Sequence, residues 1–135
     1  MYKAETTVRV RYGETDKMGY VYYGYYSLYY ETARTEAIRE LGFPYSKLEE
    51  RGVMLPVARM NIKYVLPAKY DELLRIVTEI PELPGKFIRF KHEIYNPNDD
   101  LINIAETTLL FMDDKSRKMV KAPDDLLDKL RPYFS

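Results

Sequence analysis

A carboxylate and a glycine precede a predicted helix in the segment YGETDKMGYVYY, residues 12–23. Asp16 is followed by Gly19 and Val21, and helical periodicity begins near Tyr22. A carboxylate can act as a general base or a nucleophile, and the unpaired N–H groups of a helix N-terminus can stabilise an oxyanion. Both ingredients fall within this one short segment, which makes it the first candidate for a catalytic site.

The same segment also has a structural interpretation. Glu14, Asp16 and Gly19 can form a strand-to-helix turn in which a carboxylate accepts hydrogen bonds from free backbone N–H groups. Acidic residues are common in such turns. The pattern alone therefore leaves both interpretations open.

Two other titratable residues are weighed in the same way. Glu31 lies on the predicted helix at a spacing that lets it pair with Arg34, so we expect a surface or interface ion pair rather than catalysis. His92 shares a strand face with Phe90 and Ile94. We therefore expect a hydrogen-bonded core or interface histidine rather than a proton shuttle.

The elements that position the acidic turn follow from hydrophobic periodicity. Val8 and Val10 alternate with arginines, which predicts a strand that leads directly into the turn. After the turn, apolar and aromatic residues recur at helical spacing and predict a helix of about five turns. The predicted buried stripe comprises Tyr26, Tyr29, Tyr30, Ala33, Ala37 and Leu41. Gly42 and Pro44 are typical of a helix end.

The rest of the chain predicts further strands. Alternation marks residues 58–66, 74–80 and 88–94, and residues 102–112 are also strand-like. The turn signals between them are short, which favours antiparallel hairpins over parallel crossovers. Residues 123–130 predict a short terminal helix.

One long helix and five or six antiparallel strands indicate an α+β fold in which the sheet wraps around the helix. This arrangement buries the tyrosine and alanine stripe against the apolar side of the sheet. We expect residues 1–135 to form a single domain. The sheet edge stays open, so we expect pairing with a second copy of the chain.

Composition excludes several classes of protein. Lysine plus arginine and aspartate plus glutamate each number 21, so the chain lacks the basic excess of a nucleic-acid binder. There is no cysteine and only one histidine, which excludes disulfides, thiolate zinc sites and multi-histidine metal sites. The sequence has no apolar run of signal-peptide or membrane-span length. We expect a cytoplasmic protein.

The residues from Tyr12 to Tyr23, with Tyr26 following, resemble the active-site segment of the hot-dog-fold thioesterases related to 4-hydroxybenzoyl-CoA thioesterase. The family pattern is aromatic, any, acidic, any, aspartate, two residues, glycine, any and valine, before an aromatic-rich helix start. Residues 33–36 (ARTE) and 67–72 (PAKYDE) are similar to the Tol-Pal-associated acyl-CoA thioesterase branch. The three motifs occur in order, and the chain is identified as a member of this family.

The resemblance implies a hot-dog fold and hydrolysis of an acyl thioester, with CoA or an acyl carrier protein as the carrier. Asp16 would be the catalytic carboxylate, as general base on water or as nucleophile forming a mixed anhydride. The backbone N–H of Tyr23 would be the oxyanion donor. Gly19, Val21 and Tyr26 would contact the substrate. No metal or cofactor is expected, because a thioester is already activated and a thiolate leaves readily.

The sequence departs from the branch at two positions. Many relatives carry histidine where Tyr23 stands and asparagine where Tyr25 stands. The roles of Asp16 and of the backbone survive this change, whereas a side-chain role in positioning water or substrate does not follow. Each tyrosine can instead narrow the acyl pocket or pack in the core.

CoA carries phosphates, so a basic contact is expected. Lys86 and Arg89, just after the turn at residues 84–85, are the predicted anchor, with a solvated outer face as the alternative. Two other functions stay open: a hot-dog module that binds acyl groups or proteins without turnover, and a dehydratase-type lyase, which the position of His92 disfavours. The resemblance implies homodimers or homotetramers with each pocket at a subunit boundary.

Overall fold

A computed structural model of the protein describes residues 1–134 and contains a five-stranded antiparallel sheet. The strands and their bounds are β1 Tyr2–Arg9, β2 Val53–Met54, β3 Val57–Tyr64, β4 Leu73–Ile80, β5 Phe87–Tyr95, β6 Leu101–Leu110 and β7 Met112–Asp113. The main sheet has the order β1-β4-β5-β6-β3, and β2 pairs separately with β7. The predicted set of five or six antiparallel strands is confirmed.

The long helix α1, Tyr26–Glu40, follows a single 3₁₀ turn at Tyr23–Tyr25. Two shorter helices are α2, Tyr45–Glu50, and α3, Asp124–Leu130. The helix ends where the sequence predicts, because Gly42 takes φ +95, a left-handed conformation that glycine adopts at low cost. The helix α2 was not predicted, since six residues carry too little periodicity to reveal it.

The sheet wraps around α1, as expected. Alternate residues of the central strands point at the helix, so that Ile76, Phe90 and Ile94 are fully buried. The helix covers them with its tyrosines and alanines, of which Tyr30 and Ala33 are buried at 0% and 1% exposure. Full burial of each large side chain contributes about 1.5–3 kcal/mol, so this contact dominates the stability of the fold.

The connection between β3 and β4 differs from the predicted hairpin. These strands are consecutive in the chain, yet β3 lies at one edge of the sheet and β4 lies next to β1 near the other. Residues 65–72 therefore cross the end of the sheet, which eight extended residues can do because each spans about 3.3 Å and strands lie about 4.8 Å apart. The turn signals were correct, but they do not specify which strands pair.

The crossing segment runs beside the start of α1. The N–H of Val21 donates to the carbonyl of Ala68 at 2.9 Å, and the N–H of Ala68 donates to the hydroxyl of Tyr26 at 3.3 Å. Tyr20 also bridges to Lys69. The unpredicted crossing thus supplies one wall to the region that the sequence marks as a candidate site.

Arg34 corrects one prediction about α1. It was expected to form a surface or interface ion pair with Glu31, but its side chain is buried and the residue is 6% exposed. Glu31 is exposed, and the two form no ion pair in the described chain. The i,i+3 spacing makes them neighbours, but the buried stripe is wide enough to include Arg34 and to leave Glu31 outside it.

Within residues 1–134, no helix has both the length and the apolar character needed to cross a membrane.

Candidate active site

The acidic turn is held by a compact set of backbone hydrogen bonds. The N–H of Asp16 donates to the carbonyl of Tyr20 at 2.8 Å, and the N–H of Gly19 donates back to the carbonyl of Asp16 at 3.0 Å. Thr15 also forms an antiparallel bridge with Val21. Gly19 takes φ +79, where a side chain would be strained, so the glycine is needed for this reversal.

The carboxylate of Asp16 is bound through one oxygen. Its Oδ1 accepts hydrogen bonds from the N–H groups of Met18 at 2.9 Å and Tyr20 at 3.2 Å. Its Oδ2 accepts no hydrogen bond from any other residue of 1–134. Asp16 is half-buried. The structural interpretation of the turn is therefore correct for one oxygen, while the other is available to a ligand.

Glu14 uses both of its oxygens within the fold. It is 7% exposed, and its Oε1 accepts hydrogen bonds from the N–H of Arg11 and the hydroxyl of Tyr29, each at 2.8 Å. Its Oε2 accepts one from Nε of Arg11 at 3.1 Å. Burial acts to raise the pKa of Glu14, but these hydrogen bonds and the charge of Arg11 outweigh it and hold the pKa below its ordinary value.

The start of the helix leaves backbone donors unpaired. The N–H of Tyr25 donates to the carbonyl of Tyr22 at 2.9 Å, which closes the 3₁₀ turn. The N–H groups of Tyr23 and Gly24 donate to no acceptor in the described chain. Unpaired N–H groups at a helix N-terminus carry partial positive charge and are suited to bind an oxyanion.

Asp16 and Tyr23 line the same cleft, which has a volume of about 350 Å³. We call it the apolar cleft. It is lined by Asp16, Met18, Tyr20, Val21, Tyr23, Tyr26, Tyr64, Val65, Leu66 and Pro67. The fold thus brings together four of the residues singled out in the sequence, whereas Gly19 lies within the turn and lines a neighbouring cleft.

Two tyrosines in the wall of the apolar cleft contact each other. The rings of Tyr26 and Tyr64 meet edge to face with centroids 5.5 Å apart, and Tyr26 is 2% exposed. The hydroxyl of Tyr64 donates to the carbonyl of Tyr23 at 3.3 Å. Sequence reasoning missed Tyr64, because strand alternation predicts which face of the sheet it lies on but not its contact with Tyr23, 41 positions earlier in the chain.

The predicted phosphate anchor lies elsewhere. Neither Lys86 nor Arg89 lines the apolar cleft. The guanidinium of Arg89 is already paired with Glu82 and Glu106 on the outer face of the sheet. The prediction that Lys86 and Arg89 hold CoA phosphates stays a prediction, and Arg89 would have to leave its carboxylate partners to fulfil it.

His92 is a core histidine, as expected. It is 1% exposed, its Nδ1 lies 2.9 Å from Oγ1 of Thr78, and its ring packs 4.8 Å from that of Tyr30. Burial, together with the nearby charge of Arg34, lowers its pKa to about 3. A neutral, enclosed imidazole that does not line the apolar cleft is no proton shuttle for Asp16.

Among residues 1–134, no group of three or more histidine, aspartate or glutamate side chains is arranged to hold a metal ion.

Residues 10–130 match the model of the thioesterase-like superfamily. The chain belongs to the thioesterase-like superfamily. This match confirms the family predicted from the sequence and, with it, a hot-dog thioester hydrolase.

Individual relatives cover nearly the whole chain. It is 36% identical over 121 residues to the putative acyl-CoA thioesterase YneP of Bacillus subtilis, covering 90% of this chain and 88% of that protein. It is 34% identical over 124 residues to the acyl-CoA thioester hydrolase YbgC of Escherichia coli O6:H1, covering 92% of each.

A solved thioesterase structure has the same fold. A mutant of 4-hydroxybenzoyl-CoA thioesterase, complexed with 4-hydroxybenzoyl-CoA, superimposes with a TM-score of 0.85 at 25% identity. The match covers 96% of this chain and 99% of that one.

Proposed function

We propose that this superfamily member hydrolyses acyl-CoA thioesters, with Asp16 as the catalytic carboxylate and the N–H of Tyr23 as the oxyanion donor. The observation that carries the proposal is that Asp16 and Tyr23 line one apolar cleft. The free Oδ2 of Asp16 and the unpaired N–H of Tyr23 support it further. The names of the relatives agree with a CoA thioester as substrate.

The reaction begins with the thioester carbonyl oxygen accepting a hydrogen bond from the N–H of Tyr23. Asp16 then removes a proton from water as the water oxygen attacks the carbonyl carbon, or it attacks that carbon itself and forms a mixed anhydride that water cleaves. In both routes the C–S bond breaks and the electron pair leaves on sulfur. The thiolate takes up the proton that the attacking water releases, so that a free acid and a thiol result.

Asp16 and the N–H of Tyr23 each contribute to the rate enhancement. A positioned general base typically contributes about 10²–10⁴-fold. An oxyanion donor typically contributes about 10²–10³-fold, and more in a site that excludes water.

The active unit is a homodimer or homotetramer in the cytoplasm, with each cleft near a subunit boundary. The edge strand β3 supports this assembly, because most of its residues are exposed and its ladder is paired only with β6 in the described chain. Val57, Tyr64, Val65 and Leu66 add exposed apolar surface at 44–50% exposure along the same edge. An unpaired edge with apolar side chains favours pairing with another strand.

The test is a thiol-release assay over a panel of acyl-CoA and acyl-carrier-protein substrates. We expect Asp16→Asn to lose at least about 100-fold in kcat/KM. Asparagine keeps an oxygen in the Oδ1 position, so the turn is preserved while the basic oxygen is lost. Asp124→Asn, the same change at an exposed position of α3, is the matched control and should retain wild-type activity.

Other outcomes overturn the proposal. An Asp16→Asn protein as active as the wild type would remove Asp16 from the chemistry. Acyl-CoA binding without thiol release would indicate a binding module, and formation of a double bond without thiol release would indicate a lyase of the dehydratase type.

A further inference from the structure

The guanidinium of Arg34 is buried without a carboxylate partner. The residue is 6% exposed, and its Nε and Nη1 are enclosed and donate to no acceptor within residues 1–134. The side chains that its charge reaches are neutral: burial and Arg34 lower the pKa of His92 to about 3, and burial raises the pKa of Tyr45, with Arg34 opposing the rise. A buried charge without a counter-charge is costly, so we expect an acceptor from outside the single chain.

Glu31 is the complement of Arg34 in charge and lies three residues before it on α1. Glu31 is exposed and makes no ion pair in the described part of the chain. Residues at this spacing lie on one flank of a helix, about 4.5 Å apart along its axis. The flank therefore carries one acid and one base, each without an ionic partner in residues 1–134.

This flank of α1 faces away from β1. The other flank carries Leu28 and Thr32, which line a groove together with Val8 of β1. The strands β1 and β3 are the two opposite edges of the sheet. The flank with Glu31 and Arg34 thus faces the β3 edge, where the ladder is open.

The inner face of β3 is only partly covered. Met60 and Ile62 pair with Thr107 and Ala105 of β6, whose side chains are buried, so all four lie on the inner face of the sheet. Met60 and Ile62 are nevertheless only half-buried, since α1 packs mainly against β1 and β4. An apolar strip and an incomplete charge pair therefore lie on the same open side of one chain.

We propose that the flank of α1 with Glu31 and Arg34 docks on the same flank of a second copy of this chain, so that Glu31 of each copy pairs with Arg34 of the other. Across a two-fold axis, residue i contacts j and j contacts i, so both ion pairs form together. Antiparallel helices place the two charges opposite their complements. The Nη2 of Arg34, which is not among its enclosed nitrogens, makes the contact.

The assignment rests on the assembly through β3 that is proposed above, and it names the charges that fix how the two copies meet. It uses neither Asp16 nor Tyr23. A glutamate that is held by an arginine of the other copy is not free to act as a base, which agrees with the expectation that Glu31 is not catalytic.

The first test measures the dissociation constant of the assembly by sedimentation velocity over a dilution series. We expect Glu31→Lys to raise this constant at least about 10-fold, because two repulsive contacts replace two ion pairs. Glu31 is exposed in the single chain, so the change leaves the monomer fold intact. Glu40→Lys, the same change at another exposed position of α1, is the matched control and should keep the wild-type constant.

A mixing experiment tests whether the contact is made between copies. Arg34→Glu should also weaken self-association, and an equimolar mixture of Glu31→Lys with Arg34→Glu should associate nearly as tightly as the wild type. In the mixed dimer each altered charge faces its opposite, whereas in either variant alone like charges meet. If circular dichroism shows that Arg34→Glu does not fold, Glu31→Gln and Arg34→Met are used instead, and their combined effect on association should be smaller than the sum of the two single effects.

Three outcomes overturn the inference. They are a dissociation constant for Glu31→Lys equal to that of Glu40→Lys, a wild-type protein that is monomeric over the whole dilution series, and additive effects or no recovery in the combined variants. An assembly that forms through β3 but ignores Glu31→Lys would remove the ion pair and leave the assembly standing. Thiol release and its loss in Asp16→Asn are measured separately, so the catalytic proposal fails or survives on its own result.

Discussion

Glu14 and Asp16 are carboxylates of the same turn, two residues apart, and their surroundings differ. Glu14 is buried and both of its oxygens accept hydrogen bonds from Arg11 or Tyr29. Asp16 is half-buried, and only its Oδ1 is bound. A carboxylate whose donors are all supplied by the fold stabilises the turn, and one with a free oxygen in a cleft can react.

The comparison teaches that residue type does not decide between a structural and a catalytic carboxylate. The number and position of the hydrogen-bond donors around the carboxylate distinguish the two. Glu14 ties the turn to Arg11 and to Tyr29 of α1, and Asp16 is thereby held where the apolar cleft meets the neighbouring cleft. Glu14 fits the structural interpretation of the acidic turn, and the free oxygen of Asp16 is what the proposed catalytic role requires.

The largest expected effect is on stability. Glu14→Ala leaves the hydroxyl of Tyr29 and the N–H of Arg11 without their acceptor and should lower the free energy of unfolding by about 3 kcal/mol. Asp16→Ala loses only two backbone hydrogen bonds at a half-exposed turn and should cost about 1 kcal/mol. Urea unfolding followed by tyrosine fluorescence measures both, because the chain has 14 tyrosines and no tryptophan.

An equal loss of stability in the two variants would erase the distinction between the carboxylates. Glu14→Gln, which keeps one acceptor oxygen, is the intermediate control and should fall between the wild type and Glu14→Ala.

A second prediction concerns pH. The folded-state pKa of Glu14 is lowered, so its contribution to stability is fully present above the unfolded pKa of about 4.3 and is lost as pH falls through the folded value. The stability difference between wild type and Glu14→Gln should therefore be constant from pH 7 to about pH 5 and shrink below that. Unfolding curves at a series of pH values measure it.

The measured quantity must be the difference in unfolding free energy between wild type and Glu14→Gln, because protonation of His92 changes the stability of both proteins. Its folded pKa of about 3 lies below the ordinary histidine value, so the unfolded state takes up the proton first and stability falls in both proteins as the pH drops below about 6.5. If the stability difference between wild type and Glu14→Gln instead grows as the pH falls, the hydrogen bonds described for the Glu14 carboxylate are contradicted.

The smallest expected effect is on catalysis through Tyr64. Tyr64→Phe removes the hydroxyl that donates to the carbonyl of Tyr23 and keeps the ring against Tyr26. We expect kcat to fall about 3- to 10-fold with little change in KM. The free energy of unfolding should change by less than about 0.5 kcal/mol. Steady-state kinetics with one acyl-CoA separates the two constants.

Tyr64→Leu is the control, because it also removes the ring from the wall of the apolar cleft and should raise KM as well. If Tyr64→Phe changes KM and leaves kcat unaltered, the hydroxyl contacts substrate rather than positioning the turn.

Most of the fold could be predicted because one face of each element is buried. Alternation located β3, β4 and β5, a strand-like segment located β6, and the tyrosine and alanine stripe located α1. Pairing across the sheet could not be predicted, since turn residues fix a reversal locally and the crossing of residues 65–72 depends on tertiary contacts. The burial of Arg34 was not predicted, because a charged side chain at the edge of the buried face of α1 is normally expected to be exposed to solvent.

The candidate site could be predicted only in part from the sequence. Asp16, Gly19 and the helix start are adjacent in the chain, so a local pattern could reveal them. Tyr64 reaches the site from a distant position in the sequence, and only the fold brings it near Tyr23. The separate roles of Glu14 and Asp16 depend on hydrogen bonds to Tyr29 and Met18 that no spacing rule specifies.

The most direct test of the account is a crystal structure of the protein with a non-hydrolysable acyl-CoA analogue. We predict that the analogue's carbonyl oxygen lies about 2.7–3.1 Å from the backbone nitrogen of Tyr23, with Oδ2 of Asp16 facing the carbonyl carbon. A carbonyl bound away from Tyr23, or an Asp16 whose Oδ2 points into a space the analogue does not enter, would contradict the account.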